Sequence, residues 1–169
     1  MADPHDFEEL VLEHVDAENA KNLLAMRQTW SALPRVVDVP SGAVFEGASE
    51  VESFYQTRWT GFPNASRKVT RLMSTEDGCY VEIEVKGKHE GPLDGLAATG
   101  RETQVKLCQF FAPDADGRIA EVTLYYDALT ILTQLGVIPD IGSTLGKAWL
   151  GVSSPKLMFK AVAERLKGQ

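Results

Sequence analysis

Up to Pro63 the apolar positions recur at helical intervals, and beyond it they recur at every second residue. Asp6-Phe7-Glu8-Glu9 has the spacing of a capping box with Asp in place of Ser or Thr, and Phe7, Leu10, Val11 and His14 follow on one helical stripe. Asp16 predicts the cap of a second helix that turns Ala20, Leu23, Leu24 and Trp30 toward a core. A stronger capping box, Ser49-Glu50-Val51-Glu52, predicts a third helix whose stripe is Val51, Phe54, Tyr55 and Trp59. Between these helices, residues 35–39 read as a short strand stopped by Pro40.

The alternating half reads as two hairpins. Residues 67–73 and 80–89 flank the turn Glu76-Asp77-Gly78, and residues 104–111 and 119–127 flank Asp114-Ala115-Asp116-Gly117. Parity then assigns faces. Val81, Ile83, Val85, Gly87 and His89 share one side of their strand, and Val105, Leu107, Gln109 and Phe111 share one side of the next. Ile119, Glu121, Thr123, Tyr125 and Asp127 share a side of the last. Helices followed by an antiparallel meander give an α+β fold. Residues 137–169 form an extension: a glycine-rich stretch to Gly151, then an amphipathic helix from Ser154-Pro155 bearing Leu157, Met158, Ala161, Val162 and Leu166.

Composition narrows the function classes. A chain of 169 residues with 44% hydrophobic content suffices for one domain without staples, and Cys79 and Cys108 read as small packed hydrophobes rather than a bridge. The net charge of -7 argues against nucleic-acid binding. The acidic start has no secretory pattern and no apolar run approaches a membrane span, so the expectation is a soluble, cytoplasmic protein without a membrane partner. His5, His14 and His89 have no metal-ligand spacing, and Gly142, Gly146 and Gly151 lack the context of a phosphate loop, so no metal site is expected.

The remaining signals are Gly87-Lys88-His89-Glu90-Gly91, Ala98-Thr99-Gly100-Arg101, Asp116-Gly117-Arg118-Ile119 with Glu121, then Asp127, and Gln134-Leu135-Gly136. In this order and spacing they resemble the SnoaL-like polyketide cyclases, or ester cyclases, of the nuclear transport factor two-like superfamily. The resemblance covers about residues 10–136 and makes residues 1–136 one domain. It implies a curved antiparallel sheet wrapped around the N-terminal helices into a cone with a deep pocket, and a homodimer. The implied activity is cofactor-independent ring closure of a hydrophobic carbonyl compound. In that chemistry a carboxylate removes a proton from an activated methylene, and an aldol step follows.

The resemblance assigns the acid/base role to Asp127, whose simpler reading is a helix cap before Ala128. His89 follows as a donor to a substrate carbonyl or a partner of Asp127, or as a histidine satisfied by backbone. Gln109 and Asp38 are candidate polar pocket residues, and Tyr55, Trp59, Tyr125 and Phe111 are candidate aromatic walls, with core packing as the alternative for each aromatic. Arg101 is expected to anchor its loop through a carboxylate. Asp38, Asn64 and Thr123 depart from the family pattern. Two other functions fit the same residues: a ligand-binding or scaffold protein, and a dehydratase or epoxide hydrolase using Asp38 and Asp127 around a water.

Overall fold

The computed structural model describes residues 4–153. The expected amphipathic helix after Ser154 lies outside the described residues. Helix α1 (Pro4–Asn19) and the short α2 (Leu23–Thr29) lead into strand β1 (Trp30–Asp38), β2 (Ala43–Glu46) and helix α3 (Gly47–Gly61). Four strands follow, β3 (Ser66–Thr75), β4 (Gly78–Lys88), β5 (Glu102–Pro113) and β6 (Ile119–Tyr126), and then α4 (Ala128–Gln134) and α5 (Thr144–Ser153).

The six strands form one sheet in the order β2-β1-β6-β5-β4-β3. It is mixed rather than wholly antiparallel, because β1 runs parallel to β6, with Asp38 opposite Leu124. The α+β class holds, and the two hairpins form at the expected turns. At the β3–β4 turn Gly78 has a φ of 148°, and a Cβ there would collide with the Phe111 carbonyl, so the hairpin needs glycine.

Several boundaries differ from those expected. Asp16 caps nothing, because the stripe Phe7, Val11, Val15 passes through it without interruption and α1 continues to Asn19. Lys21, at a φ of 51°, makes the break, and Asn22 caps α2 by accepting from the Ala25 N–H at 3.1 Å. Leu24 is consequently exposed and Trp30 opens a strand. Helix α3 starts two residues ahead of Ser49, with the Glu50 carboxylate accepting from the Glu46 N–H at 2.9 Å. Most of α5 lies within the glycine-rich stretch that ends at Gly151.

The core lies between the helices and the inner sheet face, around Val11, Val15, Met26, Val36, Val51, Tyr55, Val81, Ile83 and Phe111. The outer face leaves Met73, Tyr80 and Tyr125 exposed. Cys79 and Cys108 are both free. Among the described residues no helix is long and apolar enough to cross a membrane.

Candidate active site: an apolar cavity with buried ion pairs

A cavity of about 340 Å³ opens between the end of α1, the second half of α3, the inner sheet face and α4. Val85, Val105, Leu107 and Leu124 from the sheet, Phe54 and Phe62, Ile131 and Leu132 from α4 and Leu135 at its C-cap make most of its wall. Leu93 and Leu96 belong to the segment joining β4 to β5, which closes on itself through a Leu93–Leu96 bridge. That segment is tied to the end of α3, where the Gly61 carbonyl accepts from the Glu90 and Gly91 N–H groups at 3.0 and 3.2 Å. Such a wall suits a hydrophobic molecule.

Seven residues with polar side chains interrupt this wall: Glu18, Arg58, Arg67, Asp94, Thr103, Gln109 and Tyr126, of which Asp94 is exposed on the loop after β4. Glu18, at the end of α1, is 3% exposed and pairs through Oε1 with Arg67 Nε at 2.8 Å, while its Oε2 has no hydrogen-bond partner in the protein. The two elements are held in register by Asn19. Its amide oxygen accepts from the Arg67 N–H at 2.7 Å, and its amide nitrogen donates to the Arg67 carbonyl at 2.8 Å. Burial pushes the Glu18 carboxyl pKa up, and the Arg67 and Arg58 guanidiniums pull against that shift.

A second ion pair stands beside it. Asp38, 2% exposed at the end of β1, accepts through Oδ2 from Arg58 Nη2 and from the Tyr126 hydroxyl, both at 3.0 Å. Burial first and the Asp38 carboxylate second push the Tyr126 phenol up to about 12. The Arg58 guanidinium lies over the Phe54 ring at 3.7 Å. Gln109 is 2% exposed, and its Oε1 has no protein partner.

The sequence expectations divide on this geometry. Gln109 lines the cavity, and Asp38 stands behind it through Arg58 and Tyr126. His89 is fully buried on the expected side of β4 but is not part of the cavity wall; its ring packs against Phe62 with centroids 5.2 Å apart. The Thr99 N–H donates to His89 Nδ1 at 3.2 Å, which leaves the proton on Nε2, without a protein partner. Phe111 and Tyr55 are core, both edge-on to His14, and Trp59 packs on Tyr55 at 6.0 Å. Arg101 lies against Gly136 at the end of α4, in place of the expected carboxylate.

Asp127 and Tyr125 require correction. A bulge shifts the β5–β6 register between Ala112 and Pro113, so Ile119 and Glu121 no longer share a face. Val122, Leu124 and Tyr126 turn inward, while Tyr125 is 48% exposed and Asp127 is fully exposed. Asp127 is the N-cap of α4, accepting from the Thr130 N–H at 3.1 Å and from the Thr130 hydroxyl at 2.5 Å. Those bonds lower its pKa, the opposite of what burial in an apolar pocket would do.

Glu18, Arg58, Arg67 and Tyr126 were not anticipated from the sequence. Glu18 was nevertheless readable, since it continues the stripe Phe7, Val11, His14, Val15 at helical spacing, and Arg67 precedes Val69 with inward parity.

The sequence matches the SnoaL-like polyketide cyclase family over residues 8–135. The chain belongs to this family. Among solved structures, AclR from Streptomyces galilaeus superposes with a TM-score of 0.72 at 20% identity, covering 94% of this chain and 98% of its own. TsrD from Streptomyces laurentii gives 0.71 at 23%, covering 82% and 100%. SalBIII, an epoxide hydrolase/cyclase-like enzyme in pyran ring formation in the polyether salinomycin, gives 0.65 at 14%, covering 77% and 97%. At these identities the likeness is one of fold. No curated protein matches the sequence.

Proposed function

We propose that this SnoaL-family protein is a cofactor-independent acid/base enzyme that closes a ring in, or isomerises, a hydrophobic carbonyl compound, with Glu18 as the proton carrier. The observation that carries the reading is a carboxyl 3% exposed in an apolar cavity, one oxygen held by Arg67 and the other free, with its pKa raised by burial. A C–H flanked by carbonyls is acidic enough for such a base, and a pKa raised toward the working pH improves it. Glu18 Oε2 takes the proton and the C–H electron pair becomes the enolate. The enolate carbon attacks a second carbonyl of the same molecule, and the resulting alkoxide takes the proton back from Glu18. Gln109, without a protein partner for its Oε1, and Tyr126 are the orienting polar groups.

The test is hydrogen–deuterium exchange at the activated methylene of benzoylacetone, followed by NMR. Wild type should accelerate exchange, Glu18→Gln should lower the acceleration by about 100-fold or more, and Asp127→Asn, which keeps the cap, should stay within about twofold. Loss in Asp127→Asn with retention in Glu18→Gln would return the role to Asp127. A ligand-binding protein without catalysis is the second reading, favoured by the exposed, capping position of Asp127; it predicts binding with no exchange in any variant. The hydrolytic reading, with Asp38 and Asp127 around one water, is disfavoured because neither carboxylate belongs to the cavity lining. A twin subunit covering Met73, Tyr80 and Tyr125 on the outer face belongs to the same proposal. Light scattering would report it as a doubled mass, and a single-chain mass would remove it.

A further inference from the structure

Arg58 and Arg67 both line the cavity, but they are not equally engaged. The Arg58 guanidinium has its face on Phe54, Nη2 on Asp38 and Nη1 directed to the Phe54 carbonyl at 3.4 Å. Arg67 meets Glu18 with Nε as its contact atom, at 2.8 Å, and among the described residues its Nη1 and Nη2 make no hydrogen bond. A guanidinium usually meets a carboxylate with two parallel N–H groups. Here the side-on contact leaves a terminal pair of donors unspent on a side chain that is 11% exposed and cavity-lining. The backbone clamp from Asn19 fixes where Arg67 leaves β3, so the arrangement is built rather than incidental.

We infer that the Nη edge of Arg67 is an oxyanion-binding site, and that the cavity takes hydrophobic compounds presenting an enolisable carbonyl or phenolic oxygen to it. The inference rests on the proposed acid/base reading and gives it a charge balance. Before reaction the negative charge is on Glu18 and the carbonyl oxygen is neutral. When the proton moves from carbon to Glu18 Oε2, the same charge appears on the enolate oxygen, and Glu18 becomes neutral. Because the proton moves within the site the cavity's net charge is conserved, and with Arg67 beside both ends of the shift the buried cation keeps an anionic partner throughout. A carbonyl compound without an enolisable position would gain nothing from Arg67 in the reaction.

A phenolate is a stable mimic of the enolate, and para-nitrophenol reports its own ionisation by absorbance. Wild type should bind the ionised form in preference to the neutral isostere para-nitroanisole. Arg67→Met should weaken para-nitrophenolate by about 10-fold or more with para-nitroanisole affinity unchanged, and Arg67→Lys should recover part of the loss. The double variant Glu18→Gln/Arg67→Met removes both charges and keeps the site neutral. It should bind para-nitroanisole without ionic preference, and it serves if the single variant fails to fold. Equal loss of both ligands, or no loss of either, in a folded variant overturns the assignment. Exchange of benzoylacetone that survives Arg67→Met but not Glu18→Gln overturns it too, while leaving the acid/base reading intact. Phenolate preference that vanishes with Arg67 in a protein that catalyses no exchange supports the oxyanion site and removes the acid/base reading.

Discussion

His14 shows how much a single buried residue can govern. Fully enclosed on α1, it bonds through Nδ1 to Thr29 Oγ1 at 2.8 Å and through Nε2 to the Tyr55 hydroxyl at 3.2 Å. Because Thr29 already donates to the Met26 carbonyl, its oxygen accepts from His14 Nδ1–H, and Tyr55 donates to Nε2. Every donor in this chain of bonds is used and the imidazole is neutral. Burial, then the charge of Arg67, lowers its pKa to about 3. The folded-state pKa lies below the unfolded one, so the unfolded chain binds the extra proton and stability is lost as pH falls below the unfolded value. From pH 8 to pH 5 this amounts to about 2 kcal/mol. Glu18, whose folded-state pKa is raised, acts in the opposite sense: its contribution is present below the unfolded value and lost as pH rises. The expected outcome in denaturant titrations is therefore a difference of about that size between wild type and His14→Gln in their loss over this range; parallel curves would mean that His14 titrates normally. The sequence displayed this histidine on an apolar stripe but not its partners, which come from positions 15 and 41 residues away. Arg58 was hidden for the same reason, and Glu18 and Arg67, although their facing was readable, lacked a visible partner, since a charged residue in sequence reads as solvated until a group from another element is placed beside it.

At the scale of elements, legibility followed the regularity of the ladders. Strands β4 and β5 pair without interruption from Cys79 opposite Phe111 to Lys88 opposite Glu102, so alternation placed Gln109 and His89 on the inner face correctly. Strand β6 carries a bulge near its start, and one additional residue reversed the facing of everything after it, exchanging Tyr126 for Tyr125 and removing Asp127 from the interior. No feature of the sequence around Ile119 signals that bulge. The N-terminal helices were legible as helices, but their ends were decided by tertiary contacts. Asn19 finishes α1 where its amide meets both backbone groups of Arg67 on the edge strand β3. This one side chain both satisfies an edge strand and sets the register that brings Glu18 to Arg67.

For the molecule as a whole, the cavity is a region the core leaves unfilled, and native interiors seldom leave such space without a use. Glu18 and Gln109 in its lining each carry an oxygen that has no partner in the protein, a cost to the folded state that a ligand's own polar groups could offset. A ligand that occupies the cavity binds the native state alone and must raise the melting temperature. At 100-fold over its Kd the gain is about 2.7 kcal/mol, or roughly 5–10 °C for a chain of this size. Benzoylacetone in a thermal melt should reach that range. The control is Val105→Phe, which adds a ring from the β5 wall into the same space. This variant should melt at or above wild type, because the ring fills empty volume, and it should lose the ligand-induced rise. A rise that persists in Val105→Phe would place the ligand elsewhere on the molecule. A melting point that falls on filling would mean that the cavity wall has no room to accept the ring.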